Sequence, residues 1–300
     1  MLDRYLLRYF LSVVDQGNFS RAAAHCTVSQ PTLSVGIAKL ERSLEVQLFV
    51  RSNQRVELTE AGARFLVHAR RIEREFNDVL QVMKGTSRSR AEFRLGVLSS
   101  IPGDLVAAAI AEAEPSHEYR FELLFGSERE LVGHLAKGRI DIALTLIGRG
   151  GDRFLEQPVL TEGYALALSS THKLASESEI APERVAEEVM IVRRHCEALS
   201  ETSRFFTERG IRPHFSFRST NDERVLQMIS AGLGITVMPL CYQADGVVRR
   251  RLIGFSAERT LGWAASHESE SLLGDPPVLM NVLQRRLNEK NDRTDAAARD

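Results

Sequence analysis

Three cysteines in 300 residues, at positions 26, 196 and 241, are too few and too scattered for a disulfide scaffold. Their odd number points instead to a reducing compartment. No apolar run approaches the ~18 residues of a membrane span, and no secretory leader precedes the first amphipathic segment. The eight histidines are dispersed, with no pair at metal-ligand spacing, so no metal site is expected. Neither a Gly-x-Ser-x-Gly elbow nor a phosphate-cradling loop occurs. Gly232-Leu-Gly234 lacks the third glycine and the preceding strand of a dinucleotide fingerprint; a turn explains it more simply. With no positioned nucleophile and base, no catalytic residue, enzymatic activity or cofactor is expected. A large charge of one sign is also missing, since 39 Lys and Arg face 40 Asp and Glu for a net −1. No repeat at solenoid period occurs. These absences leave a cytoplasmic protein whose business is binding, with no membrane partner.

What is there starts with the stretch Asn18 to Leu40. Ser20 reads as an N-cap, and Arg21 to His25 is alanine-rich and helix-forming. Cys26-Thr-Val28 breaks the pattern. Ser29 can cap a second helix with Gln30 and Pro31 in its first turn, where proline costs nothing. Leu33, Ile37 and Leu40 recur at helical spacing and define a buried face. Gln30, Thr32, Ser34, Val35 and Lys39 are left free. Two short helices, the second offering a polar face, form a helix-turn-helix that enters a DNA major groove.

The flanks fit that unit. Leu2 to Gln16 places Leu6, Tyr9, Phe10, Val13 and Val14 on one helical face, a first helix to pack beneath the pair. Leu44 to Leu58 holds two short apolar runs around Ser-Asn-Gln, a β-ribbon or wing. Arg51 and Arg55 flank its turn, placed for phosphates or the minor groove. A long helix then runs from Thr59 to about Met83, with Phe65, Ile72, Phe76, Val79, Leu80 and Met83 as an apolar stripe suited to pairing with its twin. Residues 1–84 carry twelve Lys and Arg against nine Asp and Glu, or +3, and the remainder carries 27 against 31, or −4. A basic head on an acidic body has the right sign for DNA.

This order of parts resembles the LysR-type transcriptional regulators. The resemblance is carried by Phe19-Ser-Arg-Ala-Ala, Val28-Ser-Gln-Pro-Thr-Leu-Ser34, Leu40-Glu41, Leu48-Phe49, Arg51 and Leu58-Thr-Glu-Ala-Gly62, and it extends from Leu2 to about Leu287. It implies DNA contact through Ser29, Gln30, Pro31, Thr32, Ser34, Val35, Lys39, Arg51 and Arg55. It also implies binding to double-stranded DNA at a promoter as a homodimer or homotetramer, with RNA polymerase as a further partner if the protein activates. One departure stands out. Many members carry Arg-Gln directly after the serine matching Ser34, where this chain has Val35-Gly36. Arg reads guanine, whereas Val makes only apolar contact, so operator preference does not carry over.

Gly85 to Ala91 is small, polar and basic, a linker. Beyond it strands alternate with helices, which predicts an α/β domain with a largely parallel sheet. Strands are expected at Phe93–Leu98, Tyr119–Phe125, Asp141–Leu146, Tyr164–Leu168, Val189–Val192, Phe215–Arg218, Ile235–Met238 and Leu261–Ala265. Helices are expected at Leu105–Glu112, Glu128–Ala136, Leu199–Arg209, Asp222–Ala231 and Asn281–Leu287, with 289–300 a disordered tail. The chain so divides into a winged helix-turn-helix domain at 1–58, a dimerisation helix and hinge at 59–90, and an effector-binding domain at 91–300. Crossings near Thr161–Gly163 and Ala265–Glu268 would split that domain into lobe 1 (91–162 and 268–290) and lobe 2 (163–267). The resemblance implies that the two lobes, built like periplasmic binding proteins, hold a small-molecule inducer between them.

Ligands of open α/β sheets sit at the carboxyl ends of strands, against helix N-termini. That rule selects Ser99 and Ser100 after the first strand, Ser127 after the second and Thr145 and Ile147 at the end of the third. Thr220 and Asn221 open a helix of lobe 2. Hydroxyls and amides there suit an anion, although helix capping alone would also explain Ser99, Ser127 and Asn221. Arg193-Arg-His-Cys-Glu197 is the most chemically loaded loop. Three cations around a thiol would depress its pKa and make Cys196 reactive. The His-Cys pair resembles the peroxide-sensing branch of the family, but Phe205 stands where that branch places its second cysteine. The alternatives are a buried or semi-buried Cys196, and an Arg193 or Arg194 that binds a carboxylate effector. Cys26 reads as a small hydrophobe.

Overall fold

The computed structural model describes residues 3–50, 56–83, 91–114, 119–149 and 153–297. The chain divides into two compact units, residues 1–91 with 133–140 and residues 92–132 with 141–300. Among the described residues no helix is long and apolar enough to cross a membrane.

The first unit opens with α1 (Arg4–Gln16), α2 (Phe19–His25) and α3 (Gln30–Leu44). The helix stops are local. Gly17 ends α1 in the left-handed region (φ 62°), where glycine carries no Cβ penalty. The cap of α2 is Asn18 rather than Ser20. Its Oδ1 accepts from Ser20 N and Arg21 N at 2.8 and 3.1 Å, so the helix starts two residues earlier than expected. Ser29 caps α3 through Thr32 N, with proline in the first turn. Leu6, Phe10, Val13, Ala22, Leu33 and Leu40 form a common core beneath the three helices.

The motifs after α3 have structural reasons. Glu41 Oε1 accepts from Leu48 N (2.8 Å) and Phe49 N (3.3 Å), fastening the entry to the wing strands β1 (Phe49–Val50) and β2 (Glu57–Leu58). These pair antiparallel. Thr59 Oγ1 donates to Gln47 O and accepts from Gly62 N, starting α4 (Glu60–Met83). A Cβ on Gly62 would lie 2.0 Å from Leu48 O, so only glycine lets α4 approach the wing so closely.

The second unit contains β3 (Ala91–Leu98), α5 (Gly103–Ala113), β4 (Tyr119–Gly126), α6 (Glu128–Ala136, whose end belongs to the first unit), β5 (Ile142–Leu146) and β6 (Leu155–Ser169). Then come β7 (Glu179–Ile180), α7 (Pro182–Val185), β8 (Val189–Arg193), α8 (Leu199–Glu208), β9 (His214–Ser219), α9 (Asp222–Ser230) and β10 (Thr236–Pro239). The chain ends with β11 (Val247–Leu252), β12 (Glu258–Ala265), α10 (Ser271–Gly274) and α11 (Val278–Ala297). The main sheet runs β4-β3-β5-β12-β6-β11-β7, with β10 also on β6, and β8 pairs with β9 separately.

The sheet is mixed rather than largely parallel. β3 with β5, and β8 with β9, are parallel, as βαβ units require. β12 runs antiparallel to both β5 and β6, and β10 and β11 run antiparallel to β6. The reason lies in β6 itself. Residues 155–163 pair with β12 in lobe 1, and residues 164–169 continue without a break to pair with β10 and β11 in lobe 2. The outgoing crossing thus falls near Gly163. The return crossing precedes β12, upstream of the expected 265–268, because Leu261–Ala265 pairs with Ile142–Leu146.

One expectation fails at the end of the chain. α11 continues to Ala297 where a disordered tail was expected from 289. Lys290 reaches Asp104 of α5 at 3.2 Å and Asn291 is buried, so α11 stays packed past the predicted end.

Candidate DNA-binding face and effector cleft

On α3, Leu33, Gly36, Ile37 and Leu40 turn inward, and Ser29, Gln30, Pro31, Thr32, Val35 and Lys39 are exposed, with Ser34 half-buried. The face is organised before any partner arrives. Gln30 Nε2 donates to Ser34 Oγ at 3.1 Å, and the Ser29 and Thr32 hydroxyls lie 2.7 Å apart. Val35 is 65% exposed, an apolar spot on a polar surface. Lys39 Nζ is held by Tyr5 OH at 2.9 Å and Asp3 at 3.4 Å. Gly36 has a packing cause: a Cβ there would stand 2.6 Å from the Tyr9 ring. Arg51 and Arg55 lie outside the described residues.

On α4, Ile72, Phe76, Val79, Leu80 and Met83 are exposed, while Phe65 packs on the core of the first unit. The Arg4 guanidinium sits 3.9 Å from the Phe76 ring centre and is bonded to Glu73.

The nine residues selected in the effector domain separate into three groups. Ser99, Thr220 and Asn221 meet in one cavity of about 480 Å³, with Phe125, Glu223 and Tyr242 also on its wall. It lies between the carboxyl end of β3 and the start of α9, between the lobes. Asn221 also caps α9 by accepting from Arg224 N at 2.8 Å. Cys196 and Arg193 line a different cavity, within lobe 2. Ser100, Ser127, Thr145 and Ile147 line neither. Ser127 exchanges capping bonds with Glu130. Thr145 and Ile147 are buried, Ile147 against Gly262.

Two expectations about the loaded loop are corrected. Arg193 is 2% exposed and four of its five donors are taken: two bonds go to Asp222 (2.7 and 2.5 Å) and Nη1 faces Cys196 Sγ and Val237 O. It has no donor fork left for an effector carboxylate. Burial opposes its charge, but Asp222 holds the guanidinium pKa above its ordinary value. Cys196 is not a depressed thiol. Burial pushes its pKa up, Arg193 pulls back less than that, and Glu197 adds to the rise. Arg194 and His195 are exposed. The inter-lobe cavity likewise offers little to an anion: Asp222 and Glu223 are the charged residues on its wall, and both are acidic.

The largest polar feature escaped sequence reading. Arg259, fully buried, donates to Glu162 Oε1 (2.9 and 2.7 Å), to Ser100 Oγ (2.7 Å), to Ser100 O (3.0 Å) and to Glu197 Oε1. Tyr164 OH donates to the same Glu197 oxygen at 2.9 Å, and Glu162 Oε2 accepts from Cys241 N at 2.6 Å. Arg259 and Glu162 are cross-strand partners on β12 and β6, at the crossing between lobes. One guanidinium so ties lobe 1 through Ser100 to lobe 2 through Glu197. Burial works against the Glu197 charge, yet Arg259 and then Arg193 hold its carboxyl below the usual range. Ninety-seven residues separate Glu162 from Arg259, and no local pattern joins them.

Comparison with known proteins places this architecture. Residues 5–63 match the model of the bacterial regulatory helix-turn-helix protein, lysR family, and residues 86–273 match the LysR substrate binding domain. A hydrogen peroxide-inducible genes activator of Dickeya chrysanthemi is 30% identical, covering 78% of this chain and 77% of its own. The RuBisCO operon transcriptional regulator of Allochromatium vinosum is 29% identical over 84% of each chain. Among solved structures, a full-length OxyR variant from Pseudomonas aeruginosa shares the fold with a TM-score of 0.61 at 21% identity, covering 96% of this chain and 95% of that one. CbnR in complex with its target DNA gives 0.51 at 20% identity, covering 98% and 100%. Two family models, one for each end of the chain, agree with the helix-turn-helix and the two-lobed domain described above: the chain belongs to the LysR family of bacterial transcription regulators.

Proposed function

We propose that the protein is an effector-responsive, sequence-specific regulator that binds double-stranded promoter DNA as a homodimer or homotetramer. An activator would also contact RNA polymerase. The face Ser29, Gln30, Pro31, Thr32, Ser34 and Val35 enters the major groove, with Lys39, Arg51 and Arg55 at the phosphates. The effector occupies the cavity between Ser99 and Thr220–Asn221. The observation that carries this reading is the Arg259 cluster, whose Ser100 and Cys241 adjoin Ser99 and Tyr242 of that cavity in the chain and which joins both lobes at the strands where they cross. A ligand that prefers one lobe arrangement finds there the element to bias. The acidic wall of Asp222 and Glu223 favours an uncharged or cationic small molecule. Among the described residues of its wall, an anion would meet Glu223 with no cation to offset it.

Relatives named for hydrogen peroxide induction suggest thiol sensing through Cys196 as a variant of this reading. Three observations weigh against it. The Cys196 thiol is pushed up, Phe205 is buried in the lobe 2 core at the expected partner spacing, and Cys241 is buried with Sγ against Arg259.

The test is operator selection from genomic fragments with purified protein, repeated after peroxide treatment. Sharp peaks holding an inverted repeat, lost in Gln30→Ala and Ser34→Ala and unchanged by peroxide, are expected. Unchanged affinity in both variants would remove the assigned face. A peroxide-dependent shift that disappears in Cys196→Ser would reinstate thiol sensing.

A further inference from the structure

Lobe 2 contains a cavity of about 500 Å³ that the inter-lobe site does not use. Leu199, Thr202 and Phe206 reach it from α8, Ile191 from β8, Phe215 from β9 and Val237 from β10. Its volume falls within the roughly 300–1,000 Å³ of small-molecule sites, and its wall has their usual makeup, carbon with a few hydroxyls. Among the described residues three ionisable ones line it, and none of the three is a buried charge open to a ligand. Arg193 spends four of its five N–H donors on Asp222, Cys196 and Val237. Arg212 is exposed. Cys196 keeps its proton because burial raises its pKa.

We propose that this cavity is a second binding site, for an uncharged and mostly apolar molecule the size of a naphthyl group. A charged ligand would shed its hydration there without gaining a partner, whereas an apolar one trades water for carbon contact. The wall hydroxyls are weak selectors, since Thr202 Oγ1 already donates to Ala198 O at 2.7 Å within its own helix. The occupant lies one ion pair from the effector cleft. Arg193 faces this cavity, and its partner Asp222 faces the other. The site stands on lobe 2 geometry alone and does not depend on which effector the cleft takes.

The experiment uses the full chain and the neutral fluorophore N-phenyl-1-naphthylamine. Saturable binding at one probe per chain is expected, weakened at least about tenfold by Cys196→Phe or Thr202→Phe, which fill the space from different walls. Thr220→Val, in the cleft, should leave it unchanged. Labelling of the unsubstituted protein with N-ethylmaleimide, followed by mass spectrometry, is a readout that needs no variant to fold. Saturating probe should slow modification of Cys196 and leave Cys26 unaffected. The proposal is overturned by absence of saturable binding, by equal protection of Cys26, or by a Cys196 that labels at the same rate with probe as without.

Discussion

At the scale of single residues, the pair Val35-Gly36 separates surface chemistry from packing. Val35 is exposed and touches no core, so Val35→Arg is expected to change stability by less than about 0.5 kcal/mol. It should move operator preference toward guanine at one position, by about 1–3 kcal/mol as read by selection from a randomised site. Gly36→Ala drives a methyl into the Tyr9 ring and should cost about 1–3 kcal/mol in denaturant unfolding. Equal effects of the two substitutions on stability would mean that α3 does not sit against α1 as described. A second prediction concerns Glu197. Its carboxyl is held below the ordinary glutamate value of about 4.3 by Arg259 and Arg193, against burial. A depressed carboxylate contributes stability that is complete above the ordinary value and is lost as pH falls through the depressed one. Glu197→Gln should therefore flatten the acid side of the stability profile below about pH 4.3 while lowering stability at pH 7. An acid limb identical to that of the unsubstituted protein would show that Glu197 does not bear the charge assigned to it.

At the scale of elements, legibility followed locality. α1, α2 and α3 each carry their own stripe and stop signal within about fifteen residues, so sequence located all three and missed only which polar residue caps α2. β6 was half legible. Tyr164–Leu168 is uniformly apolar and buried. Leu155–Gly163 mixes Glu156, Gln157, Pro158 and Glu162 without a clear apolar face, because this stretch runs up to the crossing and carries the buried Glu162 of the Arg259 cluster. β11 was not legible at all. Arg249, Arg250 and Arg251 stand consecutively in it and reach Met238 O, Ala175 O and Glu179 respectively, contacts that no pattern rule anticipates. The candidate effector residues fared the same way. The strand-end rule selected Ser99, Thr220 and Asn221, which share one cavity, and it could not tell them from Ser100, which bonds to Arg259. The element whose use remains to be measured is α4. Its stripe leaves Val79 and Met83 exposed at 58% and 78%, more apolar surface than an isolated helix tolerates without a partner. Val79→Asp with Met83→Asp should convert a sedimenting dimer or tetramer toward smaller species at micromolar concentration, with helix content retained. An unchanged sedimentation coefficient would place the subunit contact elsewhere.

At the scale of the whole molecule, the question is whether cleft and DNA face share one equilibrium. A small molecule changes DNA affinity only through a difference in its own affinity for the two lobe arrangements. The Arg259 cluster is where such a difference would be felt, since opening the lobes must either drag Ser100 and Glu197 together or strand a fully buried guanidinium. Removing one partner of such a buried pair typically costs about 3–5 kcal/mol. That penalty makes a small rearrangement around intact bonds the accessible motion. Linkage then fixes a numerical relation. If a cleft ligand changes operator affinity by some factor, operator must change affinity for that ligand by the same factor, commonly 5–150-fold, or about 1–3 kcal/mol. The ligand found by screening amines and neutral metabolites should be titrated by calorimetry with and without operator duplex, and operator should be titrated with and without the ligand. Equal ratios are expected in the unsubstituted protein. Gln30→Ala should lose operator binding and keep ligand affinity, and Thr220→Val should weaken the ligand and keep operator binding. Unequal ratios at equilibrium would violate the cycle and reveal a second ligand molecule bound elsewhere. Equal ratios of one would mean that the cleft binds its ligand without informing the DNA face, and the regulatory input would have to come from another site.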